Sequence, residues 1–154
     1  MILTFDRRRY GDNILKFYTT EAEVQEAILG ALTYLRVKAF PVDAGAKALR
    51  GRAVGALKRA GLSAEALKGR TGIQAGVSDV IGTLPGGRAL YIEVKVPCRL
   101  DSSGHVATAA GRPTKEQVDF LEMMQAQGAV CGVCWSAVDA IDLVQKAMKE
   151  VRNA

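Results

Sequence analysis

Apolar and polar residues alternate through Ala89-Leu90-Tyr91-Ile92-Glu93-Val94-Lys95-Val96-Pro97, the two-residue period of a β-strand. Leu90, Ile92, Val94 and Val96 therefore share one face, and Tyr91, Glu93 and Lys95 the other. Gly76 to Leu84 forms a second β-type run, and Pro85-Gly86-Gly87-Arg88 between the two carries turn chemistry. The pattern predicts an antiparallel hairpin that brings Asp79 opposite Glu93. Helical periodicity appears elsewhere. Thr20 and Glu23 have capping-box spacing, and Val24, Ile28, Ala31, Leu32 and Leu35 recur on one face, predicting a helix to about Arg36. Thr114 and Gln117 repeat that cap ahead of Val118, Leu121 and Met124, with Gly128 as the stop. Ala129 to Trp135 reads as a buried strand. A last helix follows the Ser136 cap, with Ile141, Val144, Met148 and Val151 as its apolar stripe.

The remaining segments are less regular. Ile2 to Phe5 suits an edge strand, Tyr10 to Asn13 a turn, and Val37 to Val42 a short strand limited by Pro41. Gly45 to Gly61 is alanine-rich and basic, predicting a helix weakened by Gly51 and Gly55. Ser63 caps a further turn, Ala64 to Lys68, closed by Gly69. Cys98 to Arg112 is expected to be a loop.

These elements alternate in type, which predicts an α/β fold with a mixed sheet, and the 154 residues suit one domain spanning 1–154. At 49% hydrophobic and 24% charged, the chain has the composition of a globular protein. No run reaches the roughly 20 apolar residues of a membrane span. Asp6-Arg7-Arg8-Arg9 interrupts the N-terminus before a signal-peptide core could form, so a cytoplasmic location is expected.

The net charge of +5 is unevenly spread. Arg36 to Arg70 holds nine basic residues against Asp43 and Glu65, so this segment carries the whole positive excess. Such an excess suits a polyanion, and Lys47, Arg50, Arg52, Lys58, Arg59, Lys68 and Arg70 are the candidate phosphate contacts. Cys98, Cys131 and Cys134 are odd in number, which argues for free thiols. Cys131 and Cys134 have redox or zinc spacing, but in a strand an odd offset sends them to opposite faces, which favours core roles. The single histidine, His105, falls in the expected loop and reads as a surface residue.

The chemistry concentrates on the hairpin. Ionised groups inside an apolar strand need a partner or a metal, so Asp79, Glu93 and Lys95 are candidate site residues. Two oxygen ligands completed by water suit Mg²⁺ or Mn²⁺, and a lysine on the same face could position a metal-activated water. Gln117 opens the next helix. Glu21 lies on the apolar phase of the first, whereas Glu23 is accounted for as a cap, so helical phase favours Glu21 as a third acid.

Gly76-Val77-Ser78-Asp79, Ile92-Glu93-Val94-Lys95 and the following Gln117 resemble the PD-(D/E)xK nuclease superfamily, and within it the virus-type replication-repair nuclease (VRR-NUC) domain. The resemblance covers about residues 20–136. It implies a restriction-endonuclease-like αβββαβ core, here with a basic helical insertion at about 44–70. It further implies a Mg²⁺- or Mn²⁺-dependent DNA endonuclease. Asp79, Glu93 and Glu21 would bind metal, Lys95 would serve the water, and Gln117 would support the site. Branched, flap or junction DNA, phage or bacterial replication and repair, and a homodimer are what such relatives imply. Two features depart from the pattern: Ser78 stands where proline is usual, and the insertion is longer. A non-cleaving DNA-binding or assembly protein on the same fold is the alternative.

Overall fold

The hairpin predicted from alternation forms the centre of a mixed four-stranded sheet. The computed structural model describes residues 4–42, 59–61 and 76–152. In chain order the main elements are helices α1 (Asp12–Phe17) and α2 (Glu21–Tyr34), and strands β1 (Lys38–Pro41), β2 (Val80–Thr83) and β3 (Ala89–Val94). They are followed by the short strands β4 (Arg99–Leu100) and β5 (Val106–Thr108), helix α3 (Lys115–Ala126), strand β6 (Val130–Cys134) and helix α4 (Ala137–Arg152). The sheet order is β1-β2-β3-β6, antiparallel except where β6 joins β3 in parallel. The turn between β2 and β3 is closed by the Leu84 N–H donating to the Arg88 carbonyl at 2.9 Å.

Strand alternation sorts the core into two halves. One face presents Val80, Leu90, Ile92, Val94, Val130 and Cys134 to Val24, Ile28 and Leu32 of α2 and to Ala140, Val144 and Ala147 of α4. The other presents Cys131, Val133 and Trp135 to Leu121 of α3 and Leu15 of α1. Cys131 and Cys134 thus occupy opposite halves, and all three cysteines are free and buried. Burial pushes the Cys131 thiol up to about 11 and that of Cys134 well above its ordinary value, so both are unreactive at neutral pH.

Both capping boxes form. Thr20 accepts from the Glu23 N–H while the Glu23 carboxylate accepts from the Thr20 N–H, and Thr114 and Gln117 do the same for α3. Arg36, just past the end of α2, adopts a left-handed conformation, φ 58°.

Several expectations need correction. Cys98 to Arg112 is not a plain loop, because Arg99–Leu100 and Val106–Thr108 pair as a small antiparallel hairpin with His105 at its 83% exposed turn. Asp12–Phe17 is a helix rather than the continuation of a turn, and it buries Leu15 against Cys98 and Leu100. Phe5 lies outside any strand and stacks on Tyr10 at 4.8 Å. Regular pairing of β2 begins at Val80, not Gly76. On α4 the buried stripe passes through Ala140, Val144 and Ala147, and Val151 is exposed. Of the predicted basic elements at 45–68 only residues 59–61 are described, with Arg59 exposed; Lys47, Arg50, Arg52, Lys58 and Lys68, and Arg70 beyond them, lie outside the described residues.

Candidate active site

The pairing register places Val80 opposite Ile92, so one step further Asp79 meets Glu93 at the end of the hairpin. Asp79 leaves the ladder there. Its Oδ2 accepts from the Val94 N–H at 2.9 Å, while its carbonyl accepts from the Val42 N–H at 2.7 Å and from Gln25 Nε2 of α2 at 3.0 Å. Three elements therefore hold this one residue.

Glu93 is fully buried, with a side-chain exposure of 0%. Its Oε1 accepts from Lys95 Nζ at 2.6 Å and from Gln117 Nε2. Its Oε2 finds no hydrogen-bond partner among the described residues, and neither does the buried Ser78 Oγ beside Asp79. Burial pushes the Glu93 carboxyl up to about 8; the neighbouring Asp79 charge adds to the rise, and Lys95 opposes it. For Lys95, burial pulls the ammonium down but the hydrogen bond and charge of Glu93 outweigh it, so the group is raised and stays protonated.

Lys95 also approaches Glu21 Oε1 at 3.5 Å, so the first residue of α2 reaches the site. Glu23 does not, because its carboxylate is committed to Thr19 and Thr20. The helical phase that singled out Glu21 corresponds to this division of labour. The Glu21 carboxylate remains about half exposed and meets the ammonium. Among the described residues no three acidic, histidine or cysteine side chains cluster closely enough to enclose a metal ion. A three-carboxylate set of Glu21, Asp79 and Glu93 is thus not assembled: the Lys95 ammonium pairs with both Glu21 and Glu93.

Two close backbone approaches build the walls. Gly76 has φ +86°, and a Cβ there would overlap the Glu116 carbonyl and stand 3.1 Å from the Gln117 nitrogen. The glycine therefore lets the lead-in to Asp79 lie directly on the first turn of α3, the turn that carries Gln117. On the other side, Gly111 donates its N–H to the Val96 carbonyl at 2.9 Å and accepts from Trp135 Nε1 at 2.8 Å. A Cβ on Gly111 would be 3.4 Å from Cβ and Cδ of Lys95, so this strap packs along the lysine stem.

The structure thus brings together Asp79, Glu93, Lys95, Gln117 and Glu21, and places His105 away from them on the exposed turn. Gln25 and Gly111 escaped sequence reasoning, since neither carries a motif. Gln25 lies four residues after Glu21 on the same helical face, the one signal that could have found it. A second buried polar centre also went unseen: Asp139 accepts from the Tyr10 hydroxyl at 2.7 Å and the Trp135 N–H at 2.8 Å, tying the N-terminal segment to the β6–α4 junction. No helix among the described residues is long and apolar enough to cross a membrane. No protein-family model, curated protein or solved structure matches this chain.

Proposed function

We propose that this chain is a divalent-metal-dependent DNA endonuclease of the VRR-NUC type, hydrolysing phosphodiester bonds on a restriction-endonuclease-like core. The observation that carries this reading is Glu93. A fully buried carboxyl whose second oxygen finds no partner among the described residues, and which lies beside the Asp79 carboxyl, is costly unless the two acids share a proton or a cation. Ligation of a hard cation together with Asp79 is the task its surroundings suit. The order α2, β1, β2, β3, α3, β6 agrees with the αβββαβ arrangement, the small β4–β5 hairpin being an addition.

The residues present fit Mg²⁺ or Mn²⁺ as a two-carboxylate site, Asp79 and Glu93, with water supplying the other ligands and Glu21 outside the first contacts. Such an ion supplies a lowered pKa for a bound water and neutralisation of phosphate charge. Gln117 holds the Glu93 carboxylate in its rotamer. Lys95, steered by Glu21, orients the attacking water and offsets negative charge developing on the phosphate oxygens. The basic segment from Arg36 to Arg70 supplies sequence-independent affinity for DNA. Selectivity for branched, flap or junction DNA, a role in phage or bacterial replication and repair, a homodimeric state and a cytoplasmic location complete the proposal.

One observation favours the alternative, a DNA-binding protein on this fold that does not cleave: Lys95 occupies Glu93 Oε1 directly, and among the described residues no third acid joins Asp79 and Glu93. Incubating plasmid and junction DNA with Mg²⁺ or Mn²⁺ separates the two. Wild type is expected to cut, and Asp79→Ala and Lys95→Ala to bind without cutting. Equal cutting by wild type and Asp79→Ala ends the site assignment, and binding by wild type without cutting in either metal selects the alternative.

A further inference from the structure

The sheet face that carries Asp79 and Glu93 is only partly covered. Across it, Phe40 of β1 pairs with Ile81 of β2, and Ile81 with Tyr91 of β3. Ile81 and Tyr91 are each two residues from Asp79 and Glu93, so Phe40, Ile81, Tyr91 and Glu93 project from the same face, in rows about 7 Å apart, and Asp79 lies at its end where the ladder stops. Ala39 and Val80 point the other way, into the core shared with α2. Over β3 the face is closed by α3, whose Phe120 meets Tyr91 edge-on at 5.5 Å. Over β1 none of the described residues closes it: Ile81 is half-buried and Phe40 is 67% exposed. Lys38, also exposed, shares that face two residues before Phe40.

An exposed phenylalanine on an edge strand is an aggregation hazard that proteins usually replace with a charge or proline. Here β1 has both, Lys38 and Pro41, and still presents the ring. An aromatic face with a cation beside it is the pairing by which single-stranded nucleic acid is held, the base stacking on the ring and the phosphate meeting the charge. A paired base cannot use such a platform, since its faces are occupied by neighbours in the duplex.

We propose, resting on the nuclease reading above, that Phe40 stacks an unpaired nucleobase next to the phosphate at Asp79 and Glu93, with Lys38 on the adjoining phosphate. Phe40 and Lys38 are thereby the residues that read the unpaired part of a branched or flap substrate, a role distinct from that of the carboxylates.

Binding measured in Ca²⁺ or EDTA keeps recognition apart from cutting. The probes are a fluorescent single-stranded oligonucleotide carrying 2-aminopurine and a fully paired hairpin of matching sequence. Phe40→Val, which keeps strand propensity but lacks a π-face, is expected to bind the single strand at least about fivefold more weakly and to lose the 2-aminopurine quenching. Its affinity for the hairpin stays within about twofold of wild type, and Phe40→Trp restores both signals. Unchanged single-strand binding by Phe40→Val, or an equal loss on both probes, overturns the platform while leaving metal-dependent cutting by wild type intact. Failure of wild type to bind either probe while it still cuts junction DNA overturns the platform alone, and failure both to bind and to cut overturns the platform and the nuclease reading together.

Discussion

Gln117 presents its amide nitrogen to Glu93 because its amide oxygen is already engaged: Oε1 accepts from the Thr114 N–H at 2.8 Å, completing the cap of α3, and Nε2 is left to donate to Glu93 Oε1. One side chain thus both starts a helix and orients a buried carboxyl, which couples the position of α3 to the state of the site.

Gln117→Glu tests that coupling, since glutamate preserves the capping acceptor but turns a carboxylate towards Glu93. We expect a loss of about 1–3 kcal/mol in urea unfolding at pH 9, shrinking at pH 6 where a shared proton relieves the contact. A pH-independent loss would separate the cap from the site.

Glu93 itself carries a pH signature. Its carboxyl is raised from 4.5 to about 8 on folding, so the folded protein holds a proton that the unfolded chain releases. The resulting stability is fully present below about pH 4.5 and is lost as pH rises through about 8, a difference on the order of a few kcal/mol. Denaturant melts of the metal-free protein should show Glu93→Gln less dependent on pH than wild type across that window.

The same proton would compete with the proposed cation. Mn²⁺ affinity followed by calorimetry is expected to rise up to about tenfold per pH unit between pH 6 and 8 and then level off. Asp79→Asn should weaken binding throughout, and an affinity independent of pH would remove Glu93 from the ligand set.

The contact between Gly76 and α3 predicts a graded pair of substitutions. Gly76→Ala combines a strained φ of +86° with overlap on the Glu116 carbonyl, and should cost about 2–5 kcal/mol and lower the proposed nuclease activity by displacing Gln117. Gly86→Ala, at φ +92° in the hairpin turn with nothing within 4 Å of the added carbon, should cost only the backbone strain of about 1–2 kcal/mol. Thermal melts and DNA cleavage on the two variants check both halves.

Asp139→Ala would strand the Tyr10 hydroxyl and the Trp135 N–H in the core. Leaving buried donors unpaired costs about 1–3 kcal/mol each, so a substantial drop in melting temperature is expected. Any change in the proposed cleavage at a temperature where the variant remains folded should be small, because this centre reaches the site only through Trp135 and the Gly111 strap along Lys95.

The elements that were readable from the chain are those whose determinants are local. Thr20 with Glu23, and Thr114 with Gln117, satisfy helix-end N–H groups within four residues, so their spacing suffices to place α2 and α3. The β2–β3 hairpin was legible for the same reason, its turn and alternation lying in one continuous stretch. The β4–β5 hairpin was not. Its strands are only two and three residues long, and Leu100 is apolar because it meets Leu15 and Cys98 from elsewhere in the chain. Helix α1 depends in the same way on the burial of Leu15.

By itself the chain determined which face of β3 carries Glu93 and Lys95, and that Asp79 stands across from them, because strand geometry has a period of two and the turn sets the register. What surrounds those groups was decided only in three dimensions. The orphaned oxygen of Glu93, the grip of Gln25 on Asp79, the seat of Gly76 on α3 and the open platform at Phe40 each join residues at least 15 positions apart or depend on what a distant helix leaves uncovered. Burial and desolvation are properties of the packed whole, and no local pattern encodes how much water remains beside a given atom.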